Sequence, residues 1–576
     1  MRRSTVLPIL AALLVAIGLG LWRRAGQPTP SAGDGTPVSG GRLIATFRTE
    51  PRTFNRFASP QAAEDLVARL TQATLVRLNR VTGEIEPWLA TEWSASPDGR
   101  AYTLKLRQGV TFSDGAPFSA ADVQFTFRAL FDKQVNSALA SSLLVAGEPL
   151  GVRVLDETTI VITLAAPYGP GLALLDAIPI LPRHKLEAAY LAGTFRDAWG
   201  LGTPAADIVG LGPFVLREYV PGQELLFARN PRYWRRDERG LPLPRLDEIE
   251  VQIVPEQDGE LLRLENGTAD LTTSQVRPED LATLRRLESA GRLQIANVGV
   301  GLNPDGLWFN LAPGAPVAKD KPWLQRDELR RAISYAVDRQ ALADTVFLGA
   351  AKPIYGPVTP GNREWFVADL PKTEYDPARA KALLATLGLS DRDGDGLLED
   401  ASGRPARFSI LTQKGHTILE RSAEVLREQL RRVGLTVDIA PLEHVAMLEK
   451  FNKGEYEAMY FYIGADSFDP ARNPDFWMSS GDFHLWQPAQ KTPGRPWEAS
   501  IDDLMRREST TLDRTEQKRL FGEIQKIFAE HLPVVYFVAP DVIIAMSERV
   551  HGATPSILQP PVLWNAETLW ITASRR

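Results

Sequence analysis

The sequence has 576 residues and contains no cysteine. That absence excludes disulfide bonds, thiolate zinc sites, iron–sulfur clusters, cysteine nucleophiles and a lipid-modified N-terminal cysteine. Histidine is also scarce, and its six copies are scattered singly, without the paired spacing of a metal site: His184, His416, His444, His484, His531 and His551. We therefore expect each histidine to be an ordinary surface or core residue, and we predict no cofactor.

Local catalytic motifs are missing as well. The chain has no G-x-S-x-G elbow, no S-x-x-K, no H-E-x-x-H, no G-x-G-x-x-G and no G-x-x-x-x-G-K. Each of these patterns carries a nucleophile, a metal or a phosphate in a defined local geometry. A site assembled from distant residues remains compatible with the sequence, but the balance favours binding over catalysis.

Basic residues do not outnumber acidic residues in this chain. Its formal net charge is −6 and its isoelectric point is about 5.8, which disfavours a nucleic-acid partner and suits a cationic or neutral small molecule. With 44% hydrophobic and 24% charged residues, the chain is an ordinary globular protein that is too long for one small core. Several domains or one large interwoven fold would fit that length.

The N-terminal segment, 1–24, has the layout of an export signal. Arg2 and Arg3 precede an uncharged, mostly apolar stretch that reaches Trp22. At about 17 residues the stretch is near the lower limit for spanning a bilayer, so an uncleaved membrane anchor remains an alternative. Residues 25–40 are rich in glycine, proline and serine and predict a flexible linker. We therefore expect the rest of the chain to lie outside the cytoplasm.

The remaining sequence mixes strand and helix patterns. Residues 42–47 predict a strand, and 62–78 carry apolar residues at helical spacing. The segment 96–99, Ser-Pro-Asp-Gly, predicts a hairpin turn, and Ser119 with Asp122 resembles a helix cap. A helix over 327–342 is predicted, and 418–433 followed by Gly434 predicts another helix that leads into a strand. We infer an α/β fold.

One local cluster could bind a metal ion. Asp391, Asp393 and Asp395 alternate before Gly396, which is the spacing of carboxylates in a calcium loop. Position twelve of such a loop would be Ser402 rather than glutamate. The alternative is a polar Asp-Gly turn between a helix and a strand. We predict no metal site, and the three aspartates remain a weak calcium candidate.

Two regions carry a family resemblance. The motifs are PWLATEW at 87–93, SPDGRAYTLKLRQG at 96–109, FSDG at 112–115, GLGPF at 210–214, YVPG at 219–222 and RNPRYW at 229–234. In this order they resemble the extracytoplasmic solute-binding proteins of the oligopeptide and dipeptide class, family 5, which serve ABC importers. Asn310, LRRAI at 329–333 and AVDR at 336–339 fit the same family. The resemblance extends over about 41–570.

The resemblance implies a two-lobed α/β fold, the type II periplasmic-binding-protein fold with an extra subdomain. Its lobes close over a ligand in the cleft between them by a hinge motion. Carried onto this chain, the family pattern implies three parts: lobe I at 41–78, 206–302 and 533–576, the additional subdomain at 79–205, and lobe II at 303–532.

The resemblance also implies where a ligand would bind. Peptide-binding members hold an extended ligand through main-chain pairing and supply an aspartate for its terminal ammonium. The segment YFYIGADSFDP at 460–470 resembles that aspartate's motif and places Asp466 in the ammonium-binding position. The alternative is that Asp466 caps the turn before Asp469. The further candidate ligand-binding residues are Tyr462, Ile463, Gly464 and Ala465, with Gln61 and Ala62 on the facing lobe.

The implied function is that of a non-enzymatic, substrate-binding component of an ABC-type importer. We expect it to be an exported monomer in the periplasm or at the cell surface, free or anchored by its N-terminal segment. It would pass peptides or similar amine-bearing solutes to permease subunits and would bind no nucleic acid. The alternatives are the same scaffold with a nickel chelate, an oligosaccharide or an opine, and an anchored envelope enzyme or assembly factor.

Overall fold

The computed structural model describes residues 36–462, 464 and 467–572. The predicted export segment 1–24 and nearly all of the predicted linker lie outside these residues, as do Ile463, Ala465 and Asp466. Within the described part of the chain, every helix is too short or too polar to cross a membrane.

An eight-stranded mixed sheet organises the first lobe. Its strands in spatial order are Leu293–Val300, Val538–Ser547, Leu271–Thr272, Arg42–Phe47, Glu248–Ile253, Glu224–Arg229 and Phe214–Val220, with Ala351–Pro353 paired to Val538–Ser547. Arg42–Phe47 runs parallel to Glu248–Ile253 and to Leu271–Thr272, which confirms the predicted strand. Leu43, Ala45, Ile249 and Val251 are fully buried.

A four-stranded antiparallel sheet lies within the region 79–205. Its order is Ala90–Ala95, Ala101–Leu106, Thr159–Thr163 and Gly151–Asp156. The first two strands form the predicted hairpin around Gly99. The helix Ala120–Phe131 begins with the predicted capping box, in which Ser119 and Asp122 bond each other's backbone N–H groups. This sheet and the eight-stranded sheet contribute to one continuous hydrophobic core.

A five-stranded sheet organises the second lobe. Its order is Thr436–Leu442, Arg407–Gln413, Ala458–Phe461, Gly306–Phe309 and Val534–Tyr536. The helix Thr417–Arg431 is followed by Gly434, whose φ of +93° favours glycine, and then by the strand Thr436–Leu442. This arrangement confirms the predicted helix–glycine–strand unit. The second lobe has its own hydrophobic core.

The other regular elements cover the sheets or connect them. The helices not yet given are Ala62–Thr71, Arg183–Leu191, Gln257–Asn266, Leu281–Ser289, Pro316–Asp320, Asp327–Ala336, Arg339–Val346, Pro377–Thr386, His444–Asn452, Pro474–Trp477, Pro496–Thr510 and Arg514–His531. Two short antiparallel pairs join Val76–Leu78 with Ile85–Pro87 and Val550–His551 with Trp570–Ile571.

Two predicted helices differ from the structure. The helix predicted over 62–78 ends at Thr71, and Val76–Leu78 is a strand. The helix predicted over 327–342 is two helices, because the Asp338 carboxylate accepts the N–H of Ala341 and starts a second helix at Arg339. In both cases the apolar residues keep their helical spacing beyond the point where the helix ends, because side-chain and backbone contacts end the helix there.

Three strand pairings bear on the predicted lobe boundaries, which stay predictions. Val534–Tyr536 pairs with Gly306–Phe309 in the five-stranded sheet, whereas Val538–Ser547 belongs to the eight-stranded sheet. The chain therefore changes from the five-stranded to the eight-stranded sheet at Phe537, close to the predicted boundary at 533. Ala351–Pro353, from the segment assigned to the second lobe, joins the first lobe's sheet. The two sheets are linked here because Val534–Tyr536 and Val538–Ser547, one in each sheet, form an almost continuous extended segment.

Candidate functional site

A cleft of about 920 Å³ lies between the two sheets. Parallel strands of both lobes end at it: Arg42–Phe47 is followed by Arg48 and Thr49 of the lining, and Arg407–Gln413 by 414–419. Ligand sites of open α/β sheets form outside the carboxyl ends of such strands, because the loops there leave a crevice. The volume is within the range of small-molecule sites.

The first lobe lines the cleft through loops, and the second lobe faces them. The first lobe contributes residues 47–49, Ala62, 256–258 and 273–279. The second contributes 413–419 and Tyr462. Asn303, Asp305, Pro540 and Asp541 line it near the passages between the sheets. A ligand in the cleft would therefore touch both lobes and the connections between them.

The predicted ligand-binding residues have different positions. Ala62 and Tyr462 line the cleft. Gln61 is exposed and precedes the helix Ala62–Thr71 without capping it through its side chain. Gly464 is exposed. Ile463, Ala465 and Asp466 lie outside the described residues, so the assignment of Asp466 to a ligand ammonium stays a prediction.

Tyr462 and His416 form an aromatic part of the cleft wall. The Tyr462 ring stacks on Phe461 at 5.5 Å between centroids and meets the His416 ring edge-on at 6.1 Å. Burial, and to a lesser extent the negative charge of Asp305, raises the pKa of the Tyr462 hydroxyl. Tyr462 is therefore a neutral hydrogen-bonding group at physiological pH.

Sequence reasoning did not single out His416 as a site residue. It lies between the strand Arg407–Gln413 and the helix Thr417–Arg431, and its Nδ1 accepts the N–H of Leu419. Burial lowers its pKa, so the imidazole is neutral near pH 7. Its place at the carboxyl end of a parallel strand is the one sequence signal that could have marked it.

Asp305 is the most deeply buried acidic group of the lining, with 4% of its surface exposed. Its backbone N–H donates to the carbonyl of Val538 at 2.8 Å, and its carbonyl accepts from Phe537 at 3.1 Å. The Tyr460 hydroxyl donates to Asp305 Oδ2 at 3.2 Å. Burial raises the pKa of the Asp305 carboxyl to about 7. Nothing in the local sequence indicated this residue.

The permanent cations of the lining already have partners. Arg277 bonds Asp258 at 2.6 Å and Asp280 at 2.7 Å. Lys414 pairs with Glu443 at 2.9 Å, and Arg48 Nε donates to the carbonyl of Pro255 at 3.1 Å. Arg277 and Lys414 are therefore neutralised by carboxylates, whereas Arg48 bonds only a neutral carbonyl.

The three aspartates of the calcium candidate lie together but outside the cleft lining. Oxygens of Asp391, Asp393 and Asp395 come within 4.8 Å of one another, and all three residues are exposed. Their carboxylates accept backbone N–H groups of Gly394, Asp395, Gly396 and Leu397. These bonds are what the alternative turn between the helix Pro377–Thr386 and the strand Arg407–Gln413 requires. The prediction of no metal site, with these residues as a calcium candidate, stays a prediction.

Known proteins resemble this chain over most of its length. Residues 84–484 match the family model for bacterial extracellular solute-binding proteins, family 5. A probable ABC transporter-binding protein of Deinococcus radiodurans is 25% identical over 90% of both chains. The oligopeptide-binding protein AppA of Bacillus subtilis is 27% identical over 99% of both.

A solved structure supports the same assignment. The structure of Bacillus subtilis AppA in complex with a nonapeptide is 25% identical, with a TM-score of 0.70 over 93% of this chain and 100% of that chain. The two-lobed type II α/β fold expected from the sequence is thereby confirmed. By the extent of the family match, the order of its motifs and this fold, the chain belongs to the bacterial extracellular solute-binding proteins of family 5.

Proposed function

We propose that this protein is the substrate-binding component of an ABC-type importer and captures peptides or similar amine-bearing solutes. The observation that carries the proposal is the cleft of about 920 Å³ between the lobes, which both sheets line with the ends of parallel strands. The similarity to an oligopeptide-binding protein over 99% of the chain supports the ligand class.

Main-chain recognition fits the second-lobe side of the cleft. The strand Ala458–Phe461 leads directly to Tyr462 and Gly464. A Cβ atom added at Gly464 would meet nothing within 4 Å, so the backbone there borders open space. An extended peptide pairs with such backbone through N–H and C=O groups that are common to all residues. This mode suits a receptor for varied peptides.

The remaining roles follow from the ligand class. We propose that the protein releases its ligand unchanged to permease subunits and works as a monomer outside the cytoplasm. Residues 1–24 would direct export and would then be cleaved or serve as an anchor. Cell fractionation checks this part: a soluble protein that lacks residues 1–18 supports cleavage, and a membrane-bound full-length chain supports the anchor.

Native mass spectrometry of the purified protein tests the ligand class. We expect a heterogeneous set of bound masses that fragment as peptides and are lost when the protein is denatured. The same protein, refolded after denaturation and washing, is the control and should rebind peptides from a defined mixture. A single bound glycan, or no rebinding of any peptide, would contradict the proposal.

A nickel chelate is a second candidate, and one observation favours it. His416 lies in the cleft with a neutral imidazole, and within the described residues its Nε2 makes no hydrogen bond. A neutral imidazole nitrogen is a common ligand of nickel. Calorimetric titration with nickel and free histidine would show binding that His416→Gln abolishes. Peptide binding that His416→Gln leaves unchanged would favour the first candidate.

A further inference from the structure

The region 79–205 packs directly against the second lobe at two of its glycines. A Cβ atom at Gly99 would lie 2.6 Å from the side chain of Leu512. A Cβ atom at Gly169 would lie 2.1 Å from the amide nitrogen of the Gln517 side chain. At both points the absence of a side chain allows the backbone of one part to contact the other part closely.

Two hydrogen bonds join the same parts of the molecule. The Gly169 N–H donates to the Ser509 carbonyl at 2.9 Å, and the Tyr168 hydroxyl donates to the Ala471 carbonyl at 3.0 Å. Ser509 lies in the last turn of the helix Pro496–Thr510. The segment Tyr168–Gly169 therefore contacts the carboxyl end of a second-lobe helix.

Glu508 is buried beside this contact. It precedes Ser509 on the helix, and none of its surface is exposed. Within the described residues, neither of its carboxyl oxygens has a hydrogen-bond partner. Burial raises the pKa of the Tyr168 hydroxyl, the charge of Arg472 opposes this shift, and the charge of Glu508 adds to it. Tyr168 and Glu508 are therefore close enough to interact across the contact.

The charged groups around Glu508 do not neutralise it. Asp469 adds a second negative charge, and Arg514 is the one cation that acts on Glu508. Arg514 already bonds Asp469 at 2.7 Å and Glu364 at 2.8 Å. An ionised Glu508 would thus lose its hydration without a hydrogen bond in return. Burial, followed by the charge of Asp469, raises the pKa of Glu508 to about 8, so its carboxyl group is mostly neutral near pH 7.

We propose that the contact of Tyr168–Gly169 with Ala471 and Ser509 is a proton-dependent latch, which holds while Glu508 is protonated and loosens when Glu508 ionises. Departure of the segment would admit water to Glu508, and water stabilises the ionised form. Because the region 79–205 shares a core with the first lobe, the latch keeps the first lobe and the second lobe together. This inference goes beyond the proposed function and does not depend on the ligand class.

The direction of the pH dependence follows from the two forms of the latch. The ordinary pKa of a glutamate is 4.5, whereas the pKa of Glu508 in the latched form is about 8. The latched form therefore binds the proton more tightly than the open form. We expect the latch to be strongest below pH 4.5, to weaken as the pH rises toward 8, and to stay constant above 8.

Hydrogen exchange of the Gly169 amide measures the latch directly, because this amide donates to the Ser509 carbonyl. The ligand-free protein is studied by mass spectrometry at pH 5.5 and 8.5, and each rate is divided by that of an unstructured peptide of the same sequence at the same pH. The proteins are the unchanged chain, Glu508→Gln, Glu508→Met and the control Glu428→Gln. Glu428 is a carboxylate of the same lobe whose side chain is 61% exposed.

We expect the protection of Gly169 to fall at least about tenfold from pH 5.5 to 8.5 in the unchanged protein and in Glu428→Gln. In Glu508→Gln and Glu508→Met, which carry no charge, it should change by no more than about twofold and exceed that of the unchanged protein at pH 8.5. The Gly212 amide, which bonds the Thr71 carbonyl within the first lobe, should be equally protected in every protein at a given pH, which verifies folding.

Two results would overturn the latch. One is a protection of Gly169 in the unchanged protein that is the same at both pH values. The other is a pH response that both neutral variants retain in full. Glu508→Met covers the case in which the glutamine variant does not fold, because neither oxygen of Glu508 has a hydrogen bond to lose. Since no ligand is present, either result leaves the proposed function unaffected.

Discussion

At the scale of single residues, a buried charge gives one of the family motifs a structural role. Arg339, the last residue of the AVDR motif, is 4% exposed. Its guanidinium donates to the carbonyls of Ile354, Tyr536, Ser334 and Thr373 and to the Ser334 hydroxyl. Burial lowers its pKa to about 10, so it stays charged at neutral pH. Arg339 therefore joins several segments of the second lobe by charge-assisted hydrogen bonds.

Replacing this guanidinium should destabilise the protein even when the charge is kept. We expect Arg339→Lys to lower the free energy of unfolding by about 2–4 kcal/mol, because an ammonium cannot reach the same set of carbonyls. Urea unfolding followed by circular dichroism measures the change. Arg326→Lys, at an exposed arginine paired with Glu328, is the control and should have little effect. Equal stability of the two variants would contradict this role of Arg339.

Asp305 predicts a pH dependence of stability. Burial raises its pKa from 3.8 to about 7, so between these values the unfolded chain releases a proton that the folded chain keeps. The free energy of unfolding should therefore fall as pH rises from about 4 to 7, by at most about 4 kcal/mol from this group, and level off above 7. The neighbouring hydroxyls of Tyr460 and Tyr462 have raised pKa values and do not titrate in this window.

Asp305→Asn should remove that dependence. Relative to the unchanged protein, the variant should gain stability progressively between pH 4 and 7 and keep a constant advantage above pH 7. Urea unfolding at pH 4.5, 6 and 8 measures this difference. Glu279→Gln, which alters an exposed carboxylate, should give a smaller and flatter difference. A stability difference for Asp305→Asn that does not change with pH would show that this carboxyl titrates normally.

At the scale of elements, backbone contacts decide where the helix Ala62–Thr71 ends. The Gly212 N–H donates to the Thr71 carbonyl at 2.9 Å. A Cβ atom at Gly210 would lie 1.9 Å from the Thr71 oxygen, and one at Gly212 would lie 2.4 Å from the Thr71 carbonyl carbon. The two glycines of the GLGPF motif therefore allow close packing. Without side chains, the segment that leads into the strand Phe214–Val220 can contact the end of the helix directly.

Adding one methyl group should disturb this contact. We expect Gly212→Ala to lower the free energy of unfolding by about 2–4 kcal/mol, because backbone rather than a flexible side chain occupies the space. Thermal and urea unfolding measure the loss. Gly202→Ala is the matched control, since a Cβ there would meet nothing within 4 Å. A Gly212→Ala protein as stable as its control would contradict the packing argument.

At the scale of the whole molecule, one segment of the second lobe packs against the first lobe beside the cleft. Phe468 packs against Leu78, Leu302 and Leu558, and its ring fills the space beside Gly83. Close by, the Tyr168 hydroxyl donates to the Ala471 carbonyl at 3.0 Å. These contacts connect the second lobe to the first lobe and to the region 79–205. They follow directly after the segment that is predicted to hold the ligand ammonium.

We expect this contact to favour the conformation in which the lobes are close together. Phe468→Ala should raise the radius of gyration of the ligand-free protein in small-angle scattering and weaken peptide affinity, because a smaller fraction of molecules would be ready to bind. Saturating peptide should restore the compact value. Phe483→Ala, at a phenylalanine of the same lobe that is 49% exposed, is the control. Unchanged scattering and affinity in Phe468→Ala would exclude this role.

The sequence was most informative where the physics is local. The cap at Ser119 and Asp122, the hairpin turn at Gly99 and the helix stop at Gly434 depend on neighbouring residues, and each was predicted correctly. The order of such motifs also identified the family. The helix end at Thr71 and the change of sheet near Phe537 depend on contacts with distant segments. The new helix at Arg339 depends on a local cap by Asp338, which the apolar spacing did not reveal.

The residues of the candidate site were harder to predict from the sequence than the turns and caps. Ala62 and Tyr462 were placed in the cleft from the family motif, but Asp305, Asp541 and His416 carry no local signal of their role. Their shared position follows from pairings such as Arg42 with Glu248 and Asp305 with Val538. The sequence by itself determined the turns, the caps and the family. Only the fold decided which side chains line the cleft and which of them are buried, because burial and long-range pairing are properties of the assembled chain.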